Sequence, residues 1–328
     1  MKLNIFYLCL SLISPVISQN RNRRNTVVLG YFAPWNGGEI ENLPLGKYTH
    51  INYSFGLLYK KNDPAHIVID PNSDAPNMRK LVARAHRFNT SVSLSVGGWT
   101  GGQTFSTVVK KADLRKKFIN ECIVFLRDTT WTDPKTGQKG WGFDGIDIDW
   151  EYPGKQGISC NAVDKMDTAN YEVLLRELRH EIDKQFPRVH KLITAAVSVT
   201  PFAGSDGKPM KDVSSIMRYF DYISIMAYDL FGPWSDTTGP NAPLDADPAH
   251  TDSKESANQA ITWWLSAKAP ANKLVVGTPF YGRTAKAKEN MLLHRDNMYQ
   301  QKESTTPKGD ESDSQEVSTV CPEAPTYS

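Results

Sequence analysis

Residues 143 to 153 read Phe-Asp-Gly-Ile-Asp-Ile-Asp-Trp-Glu-Tyr-Pro, and within that run Asp147, Asp149 and Glu151 alternate strictly with Ile146, Ile148 and Trp150. An apolar, β-branched run of this period is a strand whose side chains at i, i+2 and i+4 share a face, so the acids point one way and the apolar residues the other. Same-face Cα atoms lie about 6.6 Å apart at the usual rise, close enough for carboxyl groups to hydrogen-bond or share a proton. Two charges about 5 Å apart repel by roughly 3 kcal/mol at an effective dielectric near ~20, equivalent to about 2 pKa units, so at least one acid stays protonated near neutral pH. A carboxyl group held protonated is what a general acid requires. Two other uses of the pattern stay open here. One is a solvated acidic face, which a central strand does not offer below its rim; the other is a set of oxygen ligands for a divalent cation.

Other apolar runs end in groups that suit a sugar. Ser93-Leu94-Ser95-Val96 leads into Gly97-Gly98-Trp99-Thr100, where glycines let the backbone approach a ligand and an indole can stack on a pyranose face; a tight turn around a core Trp fits the same residues. Met226-Ala227-Tyr228-Asp229 closes a later run with a phenol and a carboxylate. Tyr31, Trp35, Phe55 and Trp234 add aromatics near run ends, each of which also fits plain packing. Trp263 and Trp264 fall in a helical pattern and read as packing.

These residues need elements to hold them. Short β-rich runs cover Val27–Ala33, Thr49–Phe55, Ser91–Val96, Phe143–Trp150, Leu192–Val199, Tyr222–Ala227 and Leu274–Thr278. Helical patterns lie between them at Met78–Arg87, Ala112–Leu126, Asp167–Gln185 and Ser256–Ala267, the third with Leu174, Leu175, Leu178 and Ile182 on one face. Strands alternating with helices predict an α/β fold with a parallel sheet covered by helices, either a barrel or a doubly wound sheet. The first strand is not followed by Gly-x-Gly-x-x-Gly, which lowers the dinucleotide-binding option and favours the barrel. Catalytic groups of such a barrel sit at the C-terminal ends of strands, where the residues above fall. From Thr284 onward the chain turns polar and reads as loop or disorder; no eighth apolar strand follows, so the barrel is expected to be incomplete at its C-terminal end.

The 328 residues, 40% hydrophobic with a formal net charge of +2, fit a soluble globular protein and give no basis for a nucleic-acid partner. Met1 to Ser18 combine Lys2 with a short apolar run and read as a secretory signal peptide, followed by a basic lead over residues 19–26. The expectation is a secreted, extracellular chain that acts as a monomer and touches no membrane after cleavage. Removing the signal takes Cys9 with it and leaves Cys122, Cys160 and Cys321, enough for one internal bridge. Asn52-Tyr53-Ser54 and Asn89-Thr90-Ser91 are glycosylation sequons, the first inside an expected buried strand.

Asp144-Gly145-Ile146-Asp147-Ile148-Asp149-Trp150-Glu151 resembles the signature of glycoside hydrolase family 18, the chitinases and their relatives. Ser95-Val96-Gly97-Gly98-Trp99, Met226-Ala227-Tyr228-Asp229 and Gly277-Thr278-Pro279-Phe280-Tyr281-Gly282-Arg283 resemble its third, sixth and seventh strand motifs, in the expected order, so that the resemblance spans residues 27–283. It implies a (β/α)8 TIM barrel and retaining hydrolysis of β-1,4-linked N-acetylglucosamine polymers without a cofactor or metal, with chitin or chitooligosaccharides as partners.

Carried over by position, Glu151 would protonate the glycosidic oxygen. Asp149 would orient the substrate's acetamido group, whose oxygen is the nucleophile, Asp147 would share a proton with Asp149, and Tyr228 would donate to the acetamido oxygen. Tyr31, Phe55, Gly97, Gly98, Trp99, Thr100, Tyr152, Met226, Ala227, Asp229 and Arg283 would line the sugar subsites. Longer members carry an inserted α+β subdomain after strand seven and a Trp on strand eight. Residues 284–328 read as the start of that subdomain with no such Trp, and Cys321 as belonging to its architecture. A non-catalytic chitin-binding relative and an inactive truncated product of the same fold are the rival readings; retention of Glu151 argues against the binder.

Overall fold

In the computed structural model, the structure describes residues 26–36, 38–132, 134, 137–248, 254–309, 315–317, 321 and 325–327. The expected signal peptide and the arginines of the basic lead lie outside them. The apolar, β-branched runs become seven strands: β1 (Leu29–Phe32), β2 (His50–Gly56), β3 (Ser91–Gly97), β4 (Gly145–Asp149), β5 (Leu192–Val197), β6 (Tyr222–Ile225) and β7 (Leu274–Val276). They hydrogen-bond in sequence order, and every neighbouring pair is parallel.

Parallel neighbours need crossovers, and helices supply most of them. These are α1 (Asp74–Arg87), α2 (Phe105–Lys110), α3 (Ala112–Leu126), α4 (Asp167–Gln185), α5 (Ser214–Met217) and α6 (Ala257–Ser266). α1 buries Met78, Leu81, Val82 and Ala85, the i, i+3, i+4, i+7 stripe of an amphipathic helix. α4 buries Tyr171, Leu174, Leu175, Leu178 and Ile182 in the same manner. The sequence pattern finds α3 and α4 at their observed bounds and misses α2 and α5, which at 6 and 4 residues are too short to display a helical period. The Ser256 side chain caps α6 by accepting from the Gln259 amide at 3.1 Å. Trp264 packs as expected, fully buried with its indole donating to the Ser198 carbonyl at 3.0 Å, and Trp263 leans on the same core.

One hydrogen bond reveals the curvature of the sheet. The Tyr31 hydroxyl on β1 donates to Asp147 Oδ2 on β4 at 3.0 Å. Three strand spacings in a flat sheet would separate those strands by about 14 Å, so the sheet curls and the acid face becomes its interior. The result is a TIM-type barrel built from seven strands; among the described residues no strand pairs with the outer edges of β1 and β7.

The described residues after Thr284 are largely loop, as expected, but that loop is tied to the barrel. Isolated bridges join Ala287 to Lys302 and Thr237 to Gln301, the Thr238 hydroxyl donates to the Met298 carbonyl at 2.5 Å, and the Tyr299 ring meets Phe231. Two short strands, β8 (Gln315–Val317) and β9 (Pro325–Tyr327), pair antiparallel, and Cys321 between them is bonded to Cys160. The described loop is held by backbone bridges and a covalent bond, neither of which needs an apolar stripe. Among the described residues, Cys122 is the free thiol, buried on α3. Asn52 is buried in β2 as expected, whereas Asn89 is exposed after α1.

Candidate active site

All five residues of β4 are buried, with Ile146 and Ile148 turned toward the helices and Asp147 and Asp149 toward the interior. Just beyond the strand, Trp150 stacks on Phe105 of α2 and meets Tyr171 of α4 edge-on, which fixes the alternation that aims Glu151 inward. Register places Ser95 and Thr194 on either side of Asp147. Ser95 Oγ donates to Oδ2 at 2.8 Å and Thr194 Oγ1 to Oδ1 at 2.6 Å, so with Tyr31 three hydroxyls hold this carboxyl. Burial raises the Asp147 pKa and these donors pull it back down.

Asp149 is flanked by Gly97 and Ala196, which have no side-chain donor to offer, and its Oδ1 is buried with no hydrogen-bond partner. Burial first, then the charges of Glu151 and Asp147, push its pKa well above the ordinary carboxylate value. Its backbone is gripped instead: Gly98 N–H donates to the Asp149 carbonyl at 2.9 Å. Gly97 has φ of +115°, and a Cβ there would overlap the Asp149 carbonyl oxygen. A Cβ on Gly98 would meet the Phe55 ring at 2.9 Å. Both glycines are buried, so the structure places them as supports for the acid strand and for Phe55. Glu151 is 8% exposed, and burial followed by the charge of Asp229 pushes its pKa up to about 7.

The remaining residues form the rim. Tyr228 stands three residues beyond β6, and a Cβ on Gly277 would meet its ring at 2.8 Å, which accounts for the glycine that opens the seventh-strand motif. Burial, then the charge of Asp149, raises the Tyr228 pKa, so the phenol stays a donor. Asp229 takes both ends of the Arg283 guanidinium at 2.9 Å, and Arg283 lies over the rings of Trp234 and Tyr281. Trp35 stacks on Phe55 with centroids 5.9 Å apart, Trp99 is 45% exposed, and Tyr152 is partly buried next to Glu151. Thr100 and Met226 are partly buried, while Ala227 is buried.

Ser95 and Thr194 were not legible as site residues. The signal for Ser95 is the alternation of small polar residues in Ser91-x-Ser93-x-Ser95, which marks an interior face too polar for a plain core. Among the described residues, no group of three or more His, Cys, Asp or Glu is arranged to hold a metal ion. A cavity of about 170 Å³ lies beside β4 and β5, lined by Trp150, Tyr152, Tyr171, Phe202 and Ala203 among others; it shares Tyr152 with this site but none of the acids.

Comparison with known proteins agrees with this geometry. The sequence profile described as "Glycosyl hydrolases family 18" matches residues 27–322. A "chitinase-like effector" of Moniliophthora roreri is 34% identical over 269 residues, covering 81% of this chain and 61% of its own length. "Chitinase 1" of Aphanocladium album is 30% identical over 286 residues, covering 80% of this chain and 62% of its own. The chain thus spans about three fifths of the length of these relatives. The crystal structure of a Rhizomucor miehei chitinase superposes with a TM-score of 0.77 at 30% identity, over 92% of this chain and 76% of that one. A class V chitinase of Nicotiana tobaccum, solved in complex with NAG4, superposes with a TM-score of 0.67 at 28% identity, over 84% of this chain and 72% of that one. The acid strand, the barrel that curls around it and a profile match across most of the chain converge on one conclusion: this chain belongs to glycosyl hydrolase family 18.

Proposed function

We propose that this protein is a secreted, endo-acting chitinase that cleaves β-1,4-N-acetylglucosamine linkages with retention of configuration. The observation that carries this reading is the contrast between two neighbouring acids. Glu151 lies at the end of the run with its pKa raised into the neutral range, whereas Asp149 one step deeper holds a buried oxygen with no partner. Glu151 then gives its proton to the glycosidic oxygen as the bond to the anomeric carbon breaks. Asp149 accepts from the acetamido N–H, and the acetamido oxygen attacks the anomeric carbon to form an oxazolinium-like intermediate. Tyr228 donates to that acetamido group, and Asp147 shares a proton with Asp149. Water later opens the intermediate as Glu151 takes a proton back, which restores the starting configuration. Tyr31, Phe55, Trp99, Thr100, Tyr152, Met226, Ala227, Asp229 and Arg283 line or shape the sugar subsites, with Gly97 and Gly98 acting through the backbone.

Secretion is supported by the apolar leader and by the Cys160–Cys321 bond, since disulfides persist in oxidising compartments. The substrate's own acetamido group is the element to test. Oligomers of N-acetylglucosamine and of glucosamine with equal chain length, followed by proton NMR, should give rapid hydrolysis and an initial β-anomer only with the first. Equal turnover of both, or an initial α-anomer, overturns substrate assistance. The name "chitinase-like effector" on two relatives supports a second reading, a chitin binder that does not cleave. Retention on chitin with no product from either oligomer would favour that alternative.

A further inference from the structure

β4 ends at Asp149, two residues before Glu151, so the backbone of the proposed acid lies beyond the strand ladder. Its carbonyl is held from another direction. Asn161 Nδ2 donates to the Glu151 carbonyl at 2.8 Å, and the Asn161 side chain is buried at 7% exposure. Gly157 packs on the same carbonyl so closely that a Cβ would overlap its oxygen. The loop from residue 152 to 162 is thus folded back onto Glu151.

That loop is itself tied down. Asn161 N–H donates to the Ile158 carbonyl at 3.1 Å, and Gln156 Nε2 reaches the Ile158 and Asn161 carbonyls at 2.7 and 3.3 Å. Ala162 N–H donates to the Gln103 carbonyl, in the segment after β3, at 3.0 Å. The residue before Asn161 is Cys160, bonded to Cys321 across a sequence separation of 161 residues. Hydrogen bonds on one side of Asn161 and a covalent bond on the other restrict where its amide can point.

We propose that Asn161 is a positioning residue for Glu151, and that the Cys160–Cys321 bond anchors the loop that carries it. The inference rests on Glu151 being the acid. Its physical basis is alignment: a general acid must lie within hydrogen-bond reach of the leaving oxygen, and a misplacement of about 1 Å can lower a rate by about a hundredfold. Asn161 touches only the backbone of Glu151, so its loss should reduce kcat and leave sugar binding almost intact.

The test compares wild type, Asn161→Asp, Asn161→Leu, Cys160→Ser, the Asn161→Leu/Cys160→Ser double variant and Glu151→Gln on a fluorogenic N-acetyl-chitooligosaccharide. Rates are expressed per folded molecule from near-ultraviolet circular dichroism. Both Asn161 variants lack the donor, and only the first adds a charge. They should lower kcat about 10- to 100-fold with KM within about twofold. Cys160→Ser, or wild type treated with dithiothreitol, should lower kcat by a smaller factor. The double variant should be no slower than Asn161→Leu, because both changes act through one contact. The proposal is overturned if either Asn161 variant keeps its kcat per folded molecule, or if the Asn161 and Cys160 effects multiply. Wild-type turnover by Glu151→Gln would instead overturn the assignment of the acid, and this proposal with it.

Discussion

Thr194 and Asp147 face each other across β5 and β4 at the same register, and the Thr194 hydroxyl donates to Asp147 Oδ1 at 2.6 Å. With Ser95 and Tyr31 on Oδ2, this leaves the deepest acid of the barrel fully occupied, while Asp149 above it has a free oxygen. The two aspartates differ because their strand neighbours differ: hydroxyl-bearing residues flank the first, and a glycine and an alanine flank the second.

Replacing Thr194 by Val keeps the shape and removes the donor. A buried acceptor left unsatisfied costs about 1–3 kcal/mol, and the Asp147 pKa should rise further because one of the bonds that lowers it is gone. Urea denaturation should show that loss, and kcat should fall while KM changes little. Unchanged stability and kcat would mean that Asp147 does not depend on this hydroxyl.

Gly97→Ala should be more damaging than an ordinary Gly to Ala change. The φ of +115° and the overlap of a Cβ with the Asp149 carbonyl both oppose it. A loss of at least ~2 kcal/mol in stability is expected, together with lost activity. A soluble variant with wild-type kcat and denaturation midpoint would refute the close approach.

The pH profile follows from the direction of the Glu151 shift. Its pKa is raised to about 7 by burial and by the charge of Asp229, and catalysis needs the protonated form. kcat/KM should therefore fall as pH rises through about 7, by about tenfold per unit beyond. Asp229→Asn removes one of the causes that raise the value, so the alkaline limb should move to lower pH. A limb that stays in place or moves upward contradicts this coupling.

The same shift has a consequence for stability. A carboxyl group whose folded pKa exceeds its unfolded value contributes fully at pH below the unfolded value, and that contribution is lost as pH rises through the folded one. Glu151→Gln, which cannot ionise, should thus gain stability over wild type between pH 5 and 8, by about 3 kcal/mol at the upper end. Thermal denaturation at several pH values measures it, and a difference that does not grow with pH rules the idea out.

Trp99 stands exposed just beyond the end of β3. If it stacks on a sugar, Trp99→Ala should raise KM about tenfold and change kcat much less, since loss of roughly 1.4 kcal/mol of uniform binding acts on KM. Isothermal titration of an inactive variant with chitooligosaccharide separates this from an effect on chemistry. Unchanged affinity would make Trp99 a bystander.

The strands were legible because a buried parallel sheet demands apolar, β-branched runs, and these recur seven times with turn residues between them. The acids were legible because period-two alternation of Asp147, Asp149 and Glu151 has no plain packing explanation. Ser95 and Thr194 were not, since a lone hydroxyl acquires meaning only when register sets it beside a carboxyl group. Asn161 and the Cys160–Cys321 bond depend on loop geometry, which has no period to read. The bridges and the disulfide that hold the described loop after Thr284 have no period to read either.

The central claim is that Glu151 is the proton donor at a working site. Its most direct test is release of the fluorophore from an N-acetyl-chitooligosaccharide by wild type and by Glu151→Gln under identical conditions at pH 6. The account predicts turnover by the wild type and a loss of at least about a hundredfold in kcat for the variant, with binding retained. Equal rates for the two proteins would contradict it.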